Sequence, residues 1–177
     1  MIPDRDECLK LMAKYGMLSH IMDHSLEVTR VALFLGAELK KRGQEIDLGL
    51  VEAASLLHDL TKTECLRTKA DHAESAAGLL EDLGYDRVAK VVAQHVWLRG
   101  EGEPSRISEE EIVNYADKRV RHDLVVSLKD RFKDLKDRYG NDERAGNYWE
   151  QLEKRVFGIE NKILMILQID TKDLQNL

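Results

Sequence analysis

Two prolines and eleven glycines are spread over 177 residues, too little turn chemistry for the many short strands of an all-β fold. The chain is therefore expected to be all-α, a single-domain helical bundle with a C-terminal helical extension. Its length is that of one ordinary domain. Apolar residues make up 43% and charged residues 34%, enough to bury a core and unlike a disordered chain. No apolar run approaches the roughly 18 residues of a membrane span, and no signal-peptide pattern opens the chain. Cys8 and Cys65 supply neither a disulfide framework nor zinc spacing, so a reducing, cytoplasmic setting is expected. A net charge of −6 argues against general nucleic-acid binding, while leaving room for a local basic patch.

Helix signals divide the chain into three stretches. Residues 1–18 hold a short first helix between Pro3 and Gly16. Residues 19–123 form the central core. Ser19 is placed as the cap of a long helix ending before Gly43, Asp47 as the cap of a third, Asp71 with Glu74 as a capping box, and Asp86 as a further cap. Arg99 to Arg106, with Gly100, Gly102 and Pro104, reads as a loop. Ser108 and Glu111 form a second capping box with Ile107 and Ile112 as its staple. That helix is expected to run on, bent near Ser127, to Gly140. A last helix from about Asn141 to Gln168 carries Tyr148, Leu152, Val156, Ile159, Ile163 and Ile166 at helical spacing. Residues 124–177 thus complete the domain or mediate association, a homodimer being one use of the last stripe.

Several apolar stripes are broken by ionisable residues. His24 shares a face with Val28 and Val31, His72 with Ala76, Leu79 and Leu83, and His95 follows Val88, Val91 and Val92. Asp117 lies on the stripe of Val113, Val120 and Leu124, while His58 and Asp59 close the third helix after Leu57. Any one of these would be explained by a local hydrogen bond. Together they bring four imidazoles and two carboxylates toward one core, which is costly unless a cation compensates. Such a donor set suits one or two divalent transition-metal ions: iron, manganese, nickel, cobalt or zinc. His20 is placed at the helix surface or behind the ligands, and His122 in solvent or facing a phosphate.

The ordered set His24, His58-Asp59, His72, His95 and Asp117 resembles the HD superfamily of metal-dependent phosphohydrolases. The pair stands in Leu56-Leu57-His58-Asp59-Leu60-Thr61-Lys62, similar to the family's Leu-His-Asp-Ile-Gly-Lys, with Thr61 in place of the glycine. His24-Ser25-Leu26-Glu27-Val28 and Tyr115-Ala116-Asp117 look like its first and last motifs, so the likeness runs from about Ser19 to His122. The resemblance implies that His24, His58, Asp59 and Asp117 hold one metal. It also implies that His72 and His95 add a second, bridged by Asp59. Among binuclear members the setting looks most like bacterial hydrolases of symmetrical dinucleoside tetraphosphates. Cyclic-dinucleotide phosphodiesterases carry a His-His pair where this chain has His95-Val96.

The expected activity is hydrolysis of a phosphoester or phosphoanhydride in a small, nucleotide-like substrate by a metal-bound hydroxide, with bound water acidified from 15.7 toward about 7. Lys62 is the candidate phosphate contact or leaving-group stabiliser, beside the plainer reading of a helix-end lysine. Arg99, Lys118 and Arg121 are candidates for the entrance. Two other functions share the ligand set: a di-iron oxygenase of the same superfamily, and a non-catalytic, metal-bound nucleotide sensor.

Overall fold

The computed structural model describes residues 1–100, 102–139 and 146–170. In chain order the described elements are α1 (Arg5–Lys14), α2 (Ser19–Lys41), α3 (Leu48–Leu57), α4 (Lys62–Thr68), α5 (His72–Asp82), α6 (Asp86–Val92) and α7 (Glu109–Arg119). A two-stranded hairpin follows, β1 (Val120–Arg121) and β2 (Leu124–Val125), then α8 (Leu128–Tyr139) and α9 (Gly146–Leu167). The expected all-α architecture holds, the hairpin being its one β element among the described residues.

Helix α2 is the axis of the bundle. Val28, Val31, Ala32, Leu35 and Leu39 are fully buried along it, and it packs against α3 on one side and α7 on another. A Cβ at Gly36 would stand 2.9 Å from a Leu48 methyl, the movable end of that side chain. Helix α9 lies over α7 with Leu152, Val156, Ile159 and Ile163 buried. Its apolar stripe thus covers its own domain, while Tyr148, at its start, stays exposed.

Several starts fall where capping chemistry puts them. Asp47 accepts from the Leu50 N–H, Asp71 from those of Ala73 and Glu74, and Ser108 with Glu111 closes a reciprocal capping box. Two expected caps are displaced by one position. Ser19 and Asp86 are the first helical residues of α2 and α6, and the residues ahead of them, Leu18 and Tyr85, provide no side-chain cap. The Leu18 N–H is held instead by the Thr63 hydroxyl at 3.1 Å, from a helix distant in sequence.

The long helix expected from Ser108 to Gly140 is broken. It stops at Arg119, where Val120 is already extended. Val120 pairs with Val125 and Arg121 with Leu124 in antiparallel register, around a turn in which His122 takes φ +57°. The β-branched Val120, Val125 and Val126 favour the extended backbone. Arg119 then staples the break, its Nε donating to the Val126 carbonyl at 2.8 Å while its own carbonyl accepts from the Val126 N–H. The Ser127 hydroxyl accepts from the Asp130 N–H and opens α8 afresh. The expected start of the last helix near Asn141 lies outside the described residues.

Candidate metal centre

Five separate parts of the chain deliver side chains to one point. His24 comes from the second turn of α2, His58 and Asp59 from the end of α3, and His72 is the first residue of α5. His95 follows α6, and Asp117 belongs to the last turns of α7. His58 and Asp59 are 0% and 1% exposed, and His24, His95 and Asp117 are also buried. Only His72 is half exposed. The ligand atoms form two groups that share Asp59: His24, His58 and Asp59, and Asp59, His72 and His95. Asp117 joins the first, its Oδ1 lying 3.0 Å from His24 Nε2 and 3.7 Å from His58 Nε2. On the other side, Asp59 Oδ1 is 3.4 Å from His72 Nε2 and 3.7 Å from His95 Nε2, and those two nitrogens are 3.1 Å apart.

Hydrogen bonds outside the cluster fix which way three rings present themselves. Nδ1 of His24 donates to the His122 carbonyl, that of His58 to Ser55 and that of His95 to Val92, all at 2.7–2.8 Å. With the Nδ1 proton so placed, the neutral ring turns the Nε2 lone pair inward. Those lone pairs face carboxylate oxygens, which are acceptors as well. His58 Nε2 and Asp59 Oδ1 are indeed buried without a hydrogen-bond partner. Burying such atoms is unfavourable unless something positive lies between them. Ligand atoms sharing an ion at about 2.1 Å in tetrahedral geometry stand about 3.4 Å apart, within the 3.0–3.7 Å spacings seen here. The residues fit a divalent metal.

The electrostatics agree. Burial penalises the Asp59 carboxylate, yet His58 and Lys62 outweigh it and hold its pKa well below the usual range. Burial likewise opposes Asp117, which Lys118 and His24 keep ionised. Burial disfavours an imidazolium at His58, but Asp59 and Asp117 raise its pKa nonetheless. A proton there is the protein's own answer to two buried carboxylates; a shared divalent cation is the other. His95 is pushed down to about 3, first by burial and then by His58, and burial lowers His72 as well. Neutral imidazoles of this kind bind metal without first losing a proton.

The basic residues sort differently. Lys62 and Lys118 line the cavity of about 370 Å³ that opens onto the cluster. Lys62 donates to Asp59 Oδ2 at 2.7 Å and Lys118 to Asp117 Oδ2 at 2.6 Å, with a second bond from Lys118 to the His95 carbonyl. Arg99 and Arg121 are not in that wall. The four-residue spacing from His95 to Arg99 would aim both the same way only on a helix, and α6 has ended at Val92; Arg99 is exposed. Arg121 is set one turn beyond Asp117 only if α7 continues, and it lies on β1 instead. His20 and His122 sit at the cavity mouth. Sequence reasoning missed Arg131, Arg138, Tyr148 and Trp149, which line the same cavity from α8 and α9. The seven-residue spacing of the two arginines, which sets both on one face of α8, was the available signal.

Fold and site together define an all-α protein with four histidines and two aspartates gathered as a candidate metal centre. The chain belongs to the HD domain family, whose profile matches residues 21–121. A stretch of 97 residues is 32% identical to a tRNA (cytidine(56)-2'-O)-methyltransferase of Thermoplasma volcanium, covering 54% of this chain and 27% of that protein. Another of 79 residues is 32% identical to the uncharacterized protein MJ0778 of Methanocaldococcus jannaschii, covering 44% of this chain and 45% of the other. The chain thus spans less than half the length of either relative, and neither name is that of a dinucleoside tetraphosphate hydrolase. No solved structure matches it. Among the described residues no helix is long and apolar enough to cross a membrane.

Proposed function

We propose that the protein is a metal-dependent phosphohydrolase that cleaves a phosphoester or phosphoanhydride bond of a small, nucleotide-like substrate, through a binuclear centre. The observation that carries this reading is Asp59, a buried carboxylate with an unpartnered oxygen between two sets of imidazoles, opening into a cavity with cationic walls. Iron, manganese, nickel, cobalt or zinc suits these ligands. Bound there, such ions supply Lewis acidity and an acidified water at neutral pH.

The chain's own residues do the rest. Ser55, Val92 and His122 hold three rings through their carbonyls, so the nitrogens are oriented before substrate arrives. Lys118 fixes the Asp117 carboxylate against the His95 backbone. Lys62 keeps its ammonium at the cavity wall, where a phosphoryl oxygen competes with Asp59 for its protons. Locally this cationic wall overrides the global charge of −6 and draws an anion inward. We place the protein in the cytoplasm, acting on a small molecule rather than on nucleic acid.

Metal analysis paired with a panel of nucleoside mono-, di- and triphosphates, dinucleoside polyphosphates, cyclic nucleotides and a tRNA tests the reading. Phosphate release by anaerobically handled protein is expected, and Asp59→Ala is expected to lose metal and activity together. Retention of both would falsify the site. Oxygen uptake in place of phosphate release would replace the reading with di-iron oxygenase chemistry, and nucleotide binding without turnover would make the domain a sensor.

A further inference from the structure

The cationic wall has two halves that differ in how far their charge is already answered. Lys62 and Lys118 each meet a carboxylate of the centre, Asp59 and Asp117 respectively. Arg131 and Arg138 come from α8, beyond the segment that the HD profile matches. Both lean on one carboxylate, Asp134, with Nη–Oδ distances of 3.3 and 2.8 Å. Two guanidiniums on one acid leave a positive charge over. The Arg131 side chain is 13% exposed, and its Nε is buried with no hydrogen-bond partner. A buried guanidinium N–H without an acceptor is costly, and the side chain that carries it lines the cavity. Arg138 reaches the same wall, donating to His122 Nε2 at 3.3 Å.

Beside the arginines the wall turns aromatic. Tyr148 and Trp149, from the first turn of α9, line the cavity with Leu135 and Leu152. Trp97 stacks on Tyr148 at 5.2 Å between ring centroids, and Trp149 meets it edge-on at 5.3 Å. The rings therefore brace one another in a fixed wall. Such a surface suits a flat heteroaromatic ring.

We propose that α8 and α9 build a second subsite, in which Arg131 and Arg138 take a phosphoryl group other than the one at the metal centre and Tyr148–Trp149 seats a base. The ligand is then a nucleoside diphosphate rather than a monophosphate. This rests on the reading above that the centre takes phosphoryl groups. It adds what that reading lacks, a reason for the surplus charge and for aromatic residues at the mouth. Guanidinium groups bind phosphoryl oxygens through paired N–H donors, and Arg131 and Arg138 share a single carboxylate, Asp134.

The test is binding to the full chain in chelator, by calorimetry and by the fluorescence of Trp97 and Trp149, the chain's two tryptophans, with ADP, AMP and inorganic pyrophosphate as probes. On the unaltered protein ADP is expected to bind about tenfold or more tighter than AMP, the worth of a hydrogen bond to a charged group. Arg131→Gln with Arg138→Gln should erase that advantage, and the lysine pair should restore part of it. Trp149→Leu should weaken ADP and AMP alike and leave pyrophosphate untouched. Equal affinity of the unaltered protein for ADP and AMP would overturn the proposal without any variant. An ADP advantage that survives in a folded double-glutamine variant would do the same. If no substrate releases phosphate yet ADP still outbinds AMP, the hydrolase reading fails and the subsite stands.

Discussion

Glu160 of α9 is buried, its carboxylate accepting from the Tyr115 hydroxyl at 2.7 Å and standing 3.6 Å from the Arg119 guanidinium. Arg119 in turn donates to the same hydroxyl at 2.6 Å. Asp117 lies between Tyr115 and Arg119 on α7, so this network ties the helix that carries it to α9. Removing one partner of a buried ion pair typically costs about 3–5 kcal/mol. Glu160→Ala is expected to lose stability in that range, read by urea denaturation, with Glu160→Gln milder because it keeps an acceptor for the hydroxyl. Cys8 gives a second check at this scale. Burial, reinforced by Glu52, pushes its thiol up to about 12. At pH 8 it is therefore protonated and enclosed, and iodoacetamide should label it only as fast as the protein unfolds.

Among the elements, α3 allows a test in which the sign of the pH effect matters. Burial raises the pKa of Asp47, but the Leu50 N–H and the Arg87 guanidinium together outweigh it and the net shift is downward. A carboxylate depressed on folding stabilises above its unfolded pKa, about 3.9, and the contribution fades as pH falls through the folded value. Asp47→Ala is thus expected to cost about 1 kcal/mol near neutrality. The gap to the unaltered protein should narrow below about pH 4, as measured by denaturation midpoints. Caps of this sort were legible because a single side chain and its next turn settle them. The ligand-bearing stripes were legible too, since His24 breaks the apolar run of Val28 and Val31 and Asp117 follows Val113 on α7, although Val120 and Leu124 of the expected stripe lie on the hairpin. The hairpin was not. Leu124 and Leu128 keep a helical spacing through it, which masks the β-branched Val120, Val125 and Val126, and the break is fixed by the Arg119–Val126 bonds made in three dimensions. Arg131 and Arg138 escaped for a related reason: a charged face looks the same whether it meets water or a cavity.

At the level of the whole molecule, a metal held by the cluster would couple to folding through Asp59, which belongs to both groups of ligand atoms. A cation bound only by the folded state adds about 2.7 kcal/mol when free metal is a hundredfold above its Kd. Scanning calorimetry should therefore show a Tm that rises with added manganese or zinc and falls in chelator, a dependence absent in Asp59→Ala. Helix α9 is part of the same cooperative unit, because Leu152, Val156, Ile159 and Ile163 are buried in it. Truncation after Gly140 would expose them and should give an aggregating chain, seen by light scattering, rather than a trimmed domain of unchanged association.

The hairpin turn carries a kinetic corollary. The His122 carbonyl that receives the His24 proton sits in a two-residue ribbon, among the weakest kinds of structure for local opening. When that ribbon frays, His24 loses its anchor and its ring is free to swivel. The rate at which an ion escapes from the His24 side is then expected to follow amide exchange at Val125 and Val126, while the His95 side, anchored within its own turn to Val92, keeps a slower clock.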